Sequence, residues 1–212
     1  MDTIVGLGKA GCAIADKFFA YPQYKIYKID SEGINNREKN CYLLKPQERP
    51  EEYEKSVRSM KTFFKDATED ILFVLSGSGL ISGAALQILK SLQDKNVNIL
   101  YIKPDLEFLG HTNIMQERVV RNVLQEYTRS GLFSRIFLID NKKVEEVLGE
   151  VPIIGYYDKL NELIVSTFHM VNVYNHQEAI HATPFDTADT TRISTLGILN
   201  VEEGEEKLFF SL

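Results

Sequence analysis

Segments typical of buried strands alternate with segments typical of amphipathic helices along most of this sequence. A strand, a crossover helix and a second strand pack as a right-handed parallel unit, so this alternation restricts the chain to an α/β fold with a mostly parallel, doubly wound sheet. The predicted strands are TIVGLG (3–8), YKIYKID (24–30), DILFVLS (70–76), VNILYIKP (97–104) and SRIFLID (134–140).

The remaining segments complete this plan. Apolar residues at three- and four-residue spacing predict a helix over 112–129 and a long central helix over about 158–177. Residues 31–53 are polar and contain two prolines, which predicts mostly loop, and 51–64 is predicted to form a charged helix. Near the chain end, two apolar runs flank the acidic turn EEGEE and are predicted to pair as a β-hairpin.

The composition excludes several functional classes. A net charge of -6 disfavours a nucleic-acid partner, which would require a basic surface. Cys12, Cys41 and the four histidines show no zinc-binding spacing, and Cys12 is predicted to be a buried free thiol, as expected in a reducing cytoplasm. No targeting signal and no stretch long enough to cross a bilayer is present, so membrane insertion is not predicted.

The first predicted strand ends in a glycine-rich loop. Gly6, Gly8 and Gly11 form G-x-G-x-x-G, and Asp30 ends the second strand at the distance at which a dinucleotide-binding fold holds a ribose. Glycines let the backbone approach a phosphate, and the following helix offers unpaired N–H groups. A nicotinamide-dependent oxidoreductase is one interpretation, and a tight turn without a ligand is another.

A second loop of small residues follows the strand at 70–76. It reads SGSGLISG, and it is not a Walker loop because no Gly-Lys-Ser/Thr is present. Two such loops after two parallel strands could hold one phosphate chain from both sides, through backbone N–H groups and the hydroxyls of Ser76, Ser78 and Ser82.

In order along the chain, these motifs resemble those of the tubulin/FtsZ GTPases. Gly77 to Gly83 align with the phosphate loop G-G-G-T-G-[ST]-G of that family, and Ala84-Ala85 follow as in FtsZ. GLGKAGCAIAD is similar to the first loop of the family, and YIKPDLEFLG to the loop with the sugar-side proline. The resemblance implies phosphate-side and sugar-side contacts at Gly6, Gly8, Lys9, Ala10, Gly11, Gly77, Ser78, Gly79, Ser82, Gly83 and Pro104.

The resemblance extends to the base and to catalysis. It implies a base or ribose contact for Asn141, which could instead cap a helix, and guanine recognition for Asn161 and Glu162, although an acid also suits a helix start. PFDTAD is similar to the FtsZ aspartate loop, which implies catalytic roles for Asp186 and Asp189 unless they only cap a helix.

The resemblance also implies a function and a domain division. A guanine-nucleotide domain (1–180) would precede the aspartate loop and the beginning of a second domain (181–212). GTP or GDP would bind with Mg²⁺ held largely by the phosphates, and subunits would associate head to tail into cytoplasmic filaments that hydrolyse GTP slowly, with any adaptor proteins undefined. The alternatives are a nucleotide-binding regulator without hydrolysis or polymerisation, and the NAD(P)-dependent oxidoreductase.

The sequence departs from the family pattern at several positions. Leu80 and Ile81 stand where threonine and glycine are expected, Ala13 replaces an asparagine of the first loop, and Pro184 replaces one in the aspartate loop. The acidic segment LLKPQERPEEYEK takes the place of a glycine- and alanine-rich loop near the γ-phosphate. These departures predict altered triphosphate sensing and slow turnover.

Overall fold

A computed structural model describes residues 2–150, 152–176, 191–202 and 204–211. The core is a seven-stranded sheet in the order β3-β2-β1-β4-β5-β6-β7, and every neighbouring pair is parallel. The strands are β1 (Thr3–Leu7), β2 (Lys25–Asp30), β3 (Cys41–Leu43), β4 (Asp70–Ser76), β5 (Asn96–Lys103), β6 (Arg135–Asp140) and β7 (Ile193–Ser194). The predicted doubly wound α/β fold is confirmed.

Helices cover both faces of the sheet. They are α1 (Gly8–Lys17), α2 (Pro50–Ser56), α3 (Ala85–Lys90), α4 (His111–Arg129), α5 (Asn141–Leu148) and α6 (Tyr156–His176). One buried cluster joins α2, α3 and α4 to the sheet, and a second joins α1, α5 and α6 to its other face. Short 3-10 turns occupy Phe18–Ala20, Leu80–Ala84 and Leu106–Phe108. The predicted long helix is present, beginning two residues earlier than expected.

The strand register brings the loops after the strands to one edge. Leu7 near the end of β1 pairs with Leu75 of β4, which pairs with Tyr101 of β5, and Lys103 pairs with Asp140 where β5 and β6 end. In a parallel sheet this carboxyl edge is where ligands bind. Both glycine loops, Pro104 and Asn141 therefore follow strands at the same edge.

The segment between β2 and β4 differs from its prediction. Residues predicted as loop contain the short strand β3, and the predicted helix over 51–64 ends at Ser56 because Val57 is extended. Beyond it, Phe63 and Phe64 pack against the ring of Tyr27 in the core. The packing of these rings, with Phe64 buried and Phe63 half-buried, takes the place of a continuous helix.

A hairpin forms near the chain end as predicted, but its second strand includes Glu205 and Glu206 of the predicted turn, and Phe209 and Phe210 lie beyond the paired residues. β8 (Gly197–Asn200) pairs antiparallel with β9 (Glu205–Leu208), and both strands are exposed. Phe209 anchors the hairpin, since its side chain is buried and its carbonyl accepts a hydrogen bond from the Asp140 amide at 2.7 Å. β7 extends the main sheet beside β6. The domain division at 180/181 stays a prediction.

Candidate nucleotide site

Two glycines of the first loop are required by close packing. A Cβ on Gly6 would lie 2.5 Å from the Gly11 carbonyl oxygen, and one on Gly11 would lie 2.4 Å from that of Val74. Both glycines therefore let α1 pack tightly on β1 and β4. Gly8 is different, because its φ of +71° is left-handed backbone that favours glycine. After it, Lys9 and Ala10 are exposed on the first turn of α1.

The three glycines of the second loop differ in packing and exposure. A Cβ on Gly77 would lie 2.2 Å from the hydroxyl of Tyr101, and one on Gly83 would lie 2.1 Å from the carbonyl oxygen of Pro50 in α2. Gly79 is exposed, and the nearest atom to a Cβ there would be the Ile81 Cγ2 at 3.9 Å. Of the three glycines in this loop, only Gly79 has open space beside its backbone.

Hydrogen bonds within the protein hold the loop in shape. The buried Ser82 hydroxyl donates to the Gly77 carbonyl at 2.9 Å and accepts from Gln116 of α4 at 3.2 Å. Ser78 is half-buried. The Ser82 hydroxyl thus shapes the loop in this structure, and its predicted contact with a phosphate stays a prediction.

A buried polar cluster lies directly beneath this loop, and sequence reasoning missed it. The Tyr101 hydroxyl lies 3.2 Å from both Oε1 and the backbone carbonyl of Glu117, whose side chain is completely buried. Arg121 donates to the same carboxylate from 2.7 Å. Burial, and then the Glu117 charge, raise the pKa of Tyr101 far above its usual value. The cluster joins α4 to β5 beneath Gly77, so it supports the phosphate-loop candidate from below.

Charged residues end the neighbouring strands at the same edge. The Lys103 ammonium lies 2.5 Å from Asp140, and the ring of Phe210 lies 5.7 Å from that ammonium. Asp140 also caps α5 by accepting from the Lys142 amide at 3.0 Å. Asn141 is therefore the first residue of α5 and not its cap, which removes the capping alternative for this side chain. In the sequence, Lys103 and Asp140 could have been identified as charged residues at the ends of predicted strands.

The residues predicted to face the base lie early in α6, which packs against α1 and α5. Asn161 is half-buried, whereas Glu162 is exposed and pairs with Lys159 at 3.5 Å. Pro104 is half-buried after β5. The structure therefore places Pro104 and Asn141 at the carboxyl edge and leaves Glu162 accessible to solvent. Their contacts with a nucleotide stay predictions.

Asp30, the ribose-binding candidate of the dinucleotide interpretation, ends β2 with only 8% of its surface exposed. Its carboxylate accepts a hydrogen bond from the Ser31 amide at 2.7 Å, and burial raises its pKa above the ordinary value. The carboxylate thus already stabilises the turn that follows β2. Asp186, Asp189 and Pro184 lie outside the described residues.

Two further properties concern the described part of the chain. None of its His, Cys, Asp and Glu residues gather in threes as a metal site would require. None of its helices combines the length and apolarity needed to cross a membrane.

Solved structures share this architecture. FtsZ from M. jannaschii, as an empty dimer, is 13% identical with a TM-score of 0.66 over 86% of this chain. A tryptophan-to-tyrosine mutant of that FtsZ gives a TM-score of 0.70 at 14% identity over 92% of this chain. The chain has the tubulin/FtsZ fold. TubZ from Clostridium botulinum phage c-st, truncated at its C-terminal tail, is 15% identical with a TM-score of 0.59 over 79% of this chain.

The tubulin/FtsZ fold is present here in part of the length of those structures. This chain spans 57% and 64% of the two FtsZ chains and 59% of the TubZ chain. No family model matches the sequence, and no curated protein matches it. The likeness to the solved structures therefore establishes the fold, and activity is inferred from the site.

Proposed function

We propose that this protein binds guanine nucleotides at the carboxyl edge of its sheet, associates head to tail in the cytoplasm, and hydrolyses GTP slowly across the subunit contact. The observation that supports it best is the meeting of two glycine loops, after the adjacent parallel strands β1 and β4, in a chain with the tubulin/FtsZ fold. Left-handed Gly8 turns the first loop into α1, and exposed Gly79 leaves the backbone of the second loop accessible to phosphates at that edge.

Each part of the ligand has a proposed partner. The phosphates lie against the loops around Gly8 and Gly79, and the sugar and base lie toward Pro104, Asn141 and the start of α6. Guanine presents N–H donors, for which Glu162 is a suitable acceptor once its contact with Lys159 is exchanged. Mg²⁺ would bridge the phosphates, with few direct protein ligands.

Hydrolysis is assigned to Asp186 and Asp189, by resemblance to the FtsZ aspartate loop. In that arrangement the aspartates of one subunit position the attacking water at the nucleotide of the next. Head-to-tail contacts whose rotation does not close into a ring build open filaments. The GTPγS-form protofilament of Bacillus thuringiensis TubZ, with a TM-score of 0.65 and 13% identity, is a solved assembly of this fold.

A second candidate is a nucleotide-binding regulator without hydrolysis or polymerisation. The packing of α2 on the phosphate loop favours it, since Pro50 contacts Gly83 where the sequence departs from the family pattern. The NAD(P)-dependent oxidoreductase is a third candidate, which rests on Gly6, Gly8, Gly11 and Asp30.

Nucleotide identity is the first test. The protein is denatured after purification and the released nucleotide is identified by chromatography, and then GDP, GTP, ADP and NAD are titrated against the wild type. Guanine nucleotides should bind roughly ten- to a hundredfold more tightly than ADP, since mismatched donors and acceptors cost about 1–3 kcal/mol. Glu162→Gln should reduce this preference, and Glu146→Gln on α5 is the matched control. Equal binding of guanine and adenine nucleotides contradicts the assignment, and tight NAD binding favours the oxidoreductase.

Phosphate contact and turnover are tested separately. Gly79→Val should abolish nucleotide binding in a folded protein, because its side chain enters the open space beside the loop. Turnover per molecule should rise with protein concentration, and alanine at Asp186 or Asp189 should suppress turnover without loss of binding. Concentration-independent hydrolysis, or unchanged turnover in both aspartate variants, contradicts the shared site. Pelleting with GTP measures assembly.

A further inference from the structure

The two glycine loops touch through one apolar side chain. A Cβ built on Gly8 would lie 2.8 Å from the Cγ2 methyl of Ile81, so this methyl occupies the space that the left-handed glycine leaves free. Ile81 is half-buried and its side chain packs against the core under α2, α3 and α4. The contact is therefore fixed by packing and is not the resting place of a mobile surface side chain.

The two sides of this contact differ. The second loop is exposed at Gly79 on one side, and on the other side, called the closed side here, Gly83 packs against α2. Gly79 precedes the contact and is exposed, and a Cβ built on it would have no neighbour closer than the same Ile81 methyl at 3.9 Å. Beyond Ile81, Gly83 is held against the Pro50 backbone, where a Cβ would lie 2.1 Å from the carbonyl oxygen. A phosphate chain that lies along Gly79 meets an apolar obstruction at the junction with Gly8.

The closed side also lacks a replacement anion site. The segment packed there begins α2, a helix of seven residues, with Glu51 and Glu52 in its first turn. These carboxylates stand where helix N–H groups would otherwise attract an anion, and a phosphate brought near them is repelled. Both the shape and the charge of this side disfavour an additional phosphate.

We infer that the Ile81 methyl, wedged between the two glycine loops, limits the phosphate chain that the site accepts, so the protein prefers GDP to GTP. This inference rests on the proposed nucleotide site and makes Ile81 a residue that determines phosphate number. The slow turnover proposed above then follows in part from weak binding of the triphosphate.

The test compares two variants of the same side chain. Ile81→Ala removes the Cγ2 methyl, whereas Ile81→Val keeps it and removes only the terminal carbon. Affinities for GDP and for a non-hydrolysable GTP analogue are measured by calorimetry on the full chain, with circular dichroism to verify folding. The wild type and Ile81→Val should bind GDP at least about tenfold more tightly than the analogue, and Ile81→Ala should bring the two affinities within about threefold.

The outcomes separate this inference from the proposed function. If the wild type binds both nucleotides equally, or if Ile81→Ala keeps the wild-type ratio, Ile81 does not select phosphate number while the nucleotide site stands. If the wild type binds neither nucleotide, both the proposed function and the inferred preference for GDP are wrong. Should Ile81→Ala fail to fold, an Ile81→Val ratio that departs from that of the wild type overturns the inference, since this variant keeps the obstructing methyl.

Discussion

Gly83 and Gly79 lie in the same loop, and the structure predicts opposite consequences for one added methyl group. In Gly83→Ala the new Cβ would lie 2.1, 2.6 and 2.8 Å from the oxygen, carbon and Cα of Pro50. All three are backbone atoms, so no side-chain rotation relieves the overlap and α2 must shift. In Gly79→Ala the new Cβ would have no neighbour closer than 3.9 Å, and the backbone angles there (φ -82°, ψ 147°) suit any residue.

The expected magnitudes follow from these contacts. Overpacking of this kind costs about 1–3 kcal/mol. A shift of α2 that exposes the buried Tyr53 ring costs a similar amount, about 1.5–3 kcal/mol. For a chain of this size each kcal/mol lowers Tm by roughly 2–4 °C. Gly79→Ala should change stability by less than about 1 kcal/mol, toward greater stability, because alanine restricts the unfolded chain.

Urea denaturation followed by circular dichroism measures both variants against the wild type. Limited trypsin digestion adds a local measurement, since displacement of α2 should accelerate cleavage at Lys55. If Gly83→Ala is as stable as the wild type, or Gly79→Ala is the less stable of the two, the interpretation of Gly83 as a packing residue is wrong.

Three other predictions concern buried or half-buried side chains. Tyr101→Phe should lower the free energy of unfolding by about 1–3 kcal/mol in urea, because it removes a hydroxyl that contacts the buried Glu117; an unchanged value contradicts the role of the cluster. Burial lowers the pKa of His169 below 6.5, so the unfolded state takes up this proton more readily, and stability that is complete above pH 6.5 should fall as the pH decreases. His169→Gln should reduce this pH dependence of the free energy of unfolding. Identical profiles for the variant and the wild type would refute the role of His169. Burial raises the pKa of Cys12 to about 12, so a thiol reagent at pH 8 should label it only after denaturation, and rapid labelling of the folded protein contradicts this.

The sequence predicts the sheet and the site loops because the signals there are local. The central strands are mostly apolar, and glycines directly follow β1 and β4. Parallel pairing then brings those loops together without any further information. The long helix α6 is equally local, since Leu160, Ile164 and Phe168 repeat at four-residue spacing and are all buried.

Long-range packing decides the features that the sequence did not predict. α2 ends at Ser56 because the segment beyond it packs Phe63 and Phe64 against Tyr27, a partner distant in sequence. Likewise, Gly83 belongs to a phosphate-loop pattern in the sequence, and only the structure places it against Pro50. Glu117 would be expected at the helix surface by its charge, yet tertiary contacts bury it completely.

The position of β1 in the middle of the sheet sets an order in which the protein can fold during synthesis. Thr3 pairs with Lys25 on one side and with Ile71 on the other, so the first strand made must wait for β4 before both of its edges are satisfied. Until then β1 can form backbone hydrogen bonds only with β2, and the core around its side chains is incomplete. Pairings between distant segments slow folding, so nascent chains that end before β4 should remain sensitive to protease and bind chaperones that recognise exposed apolar strands.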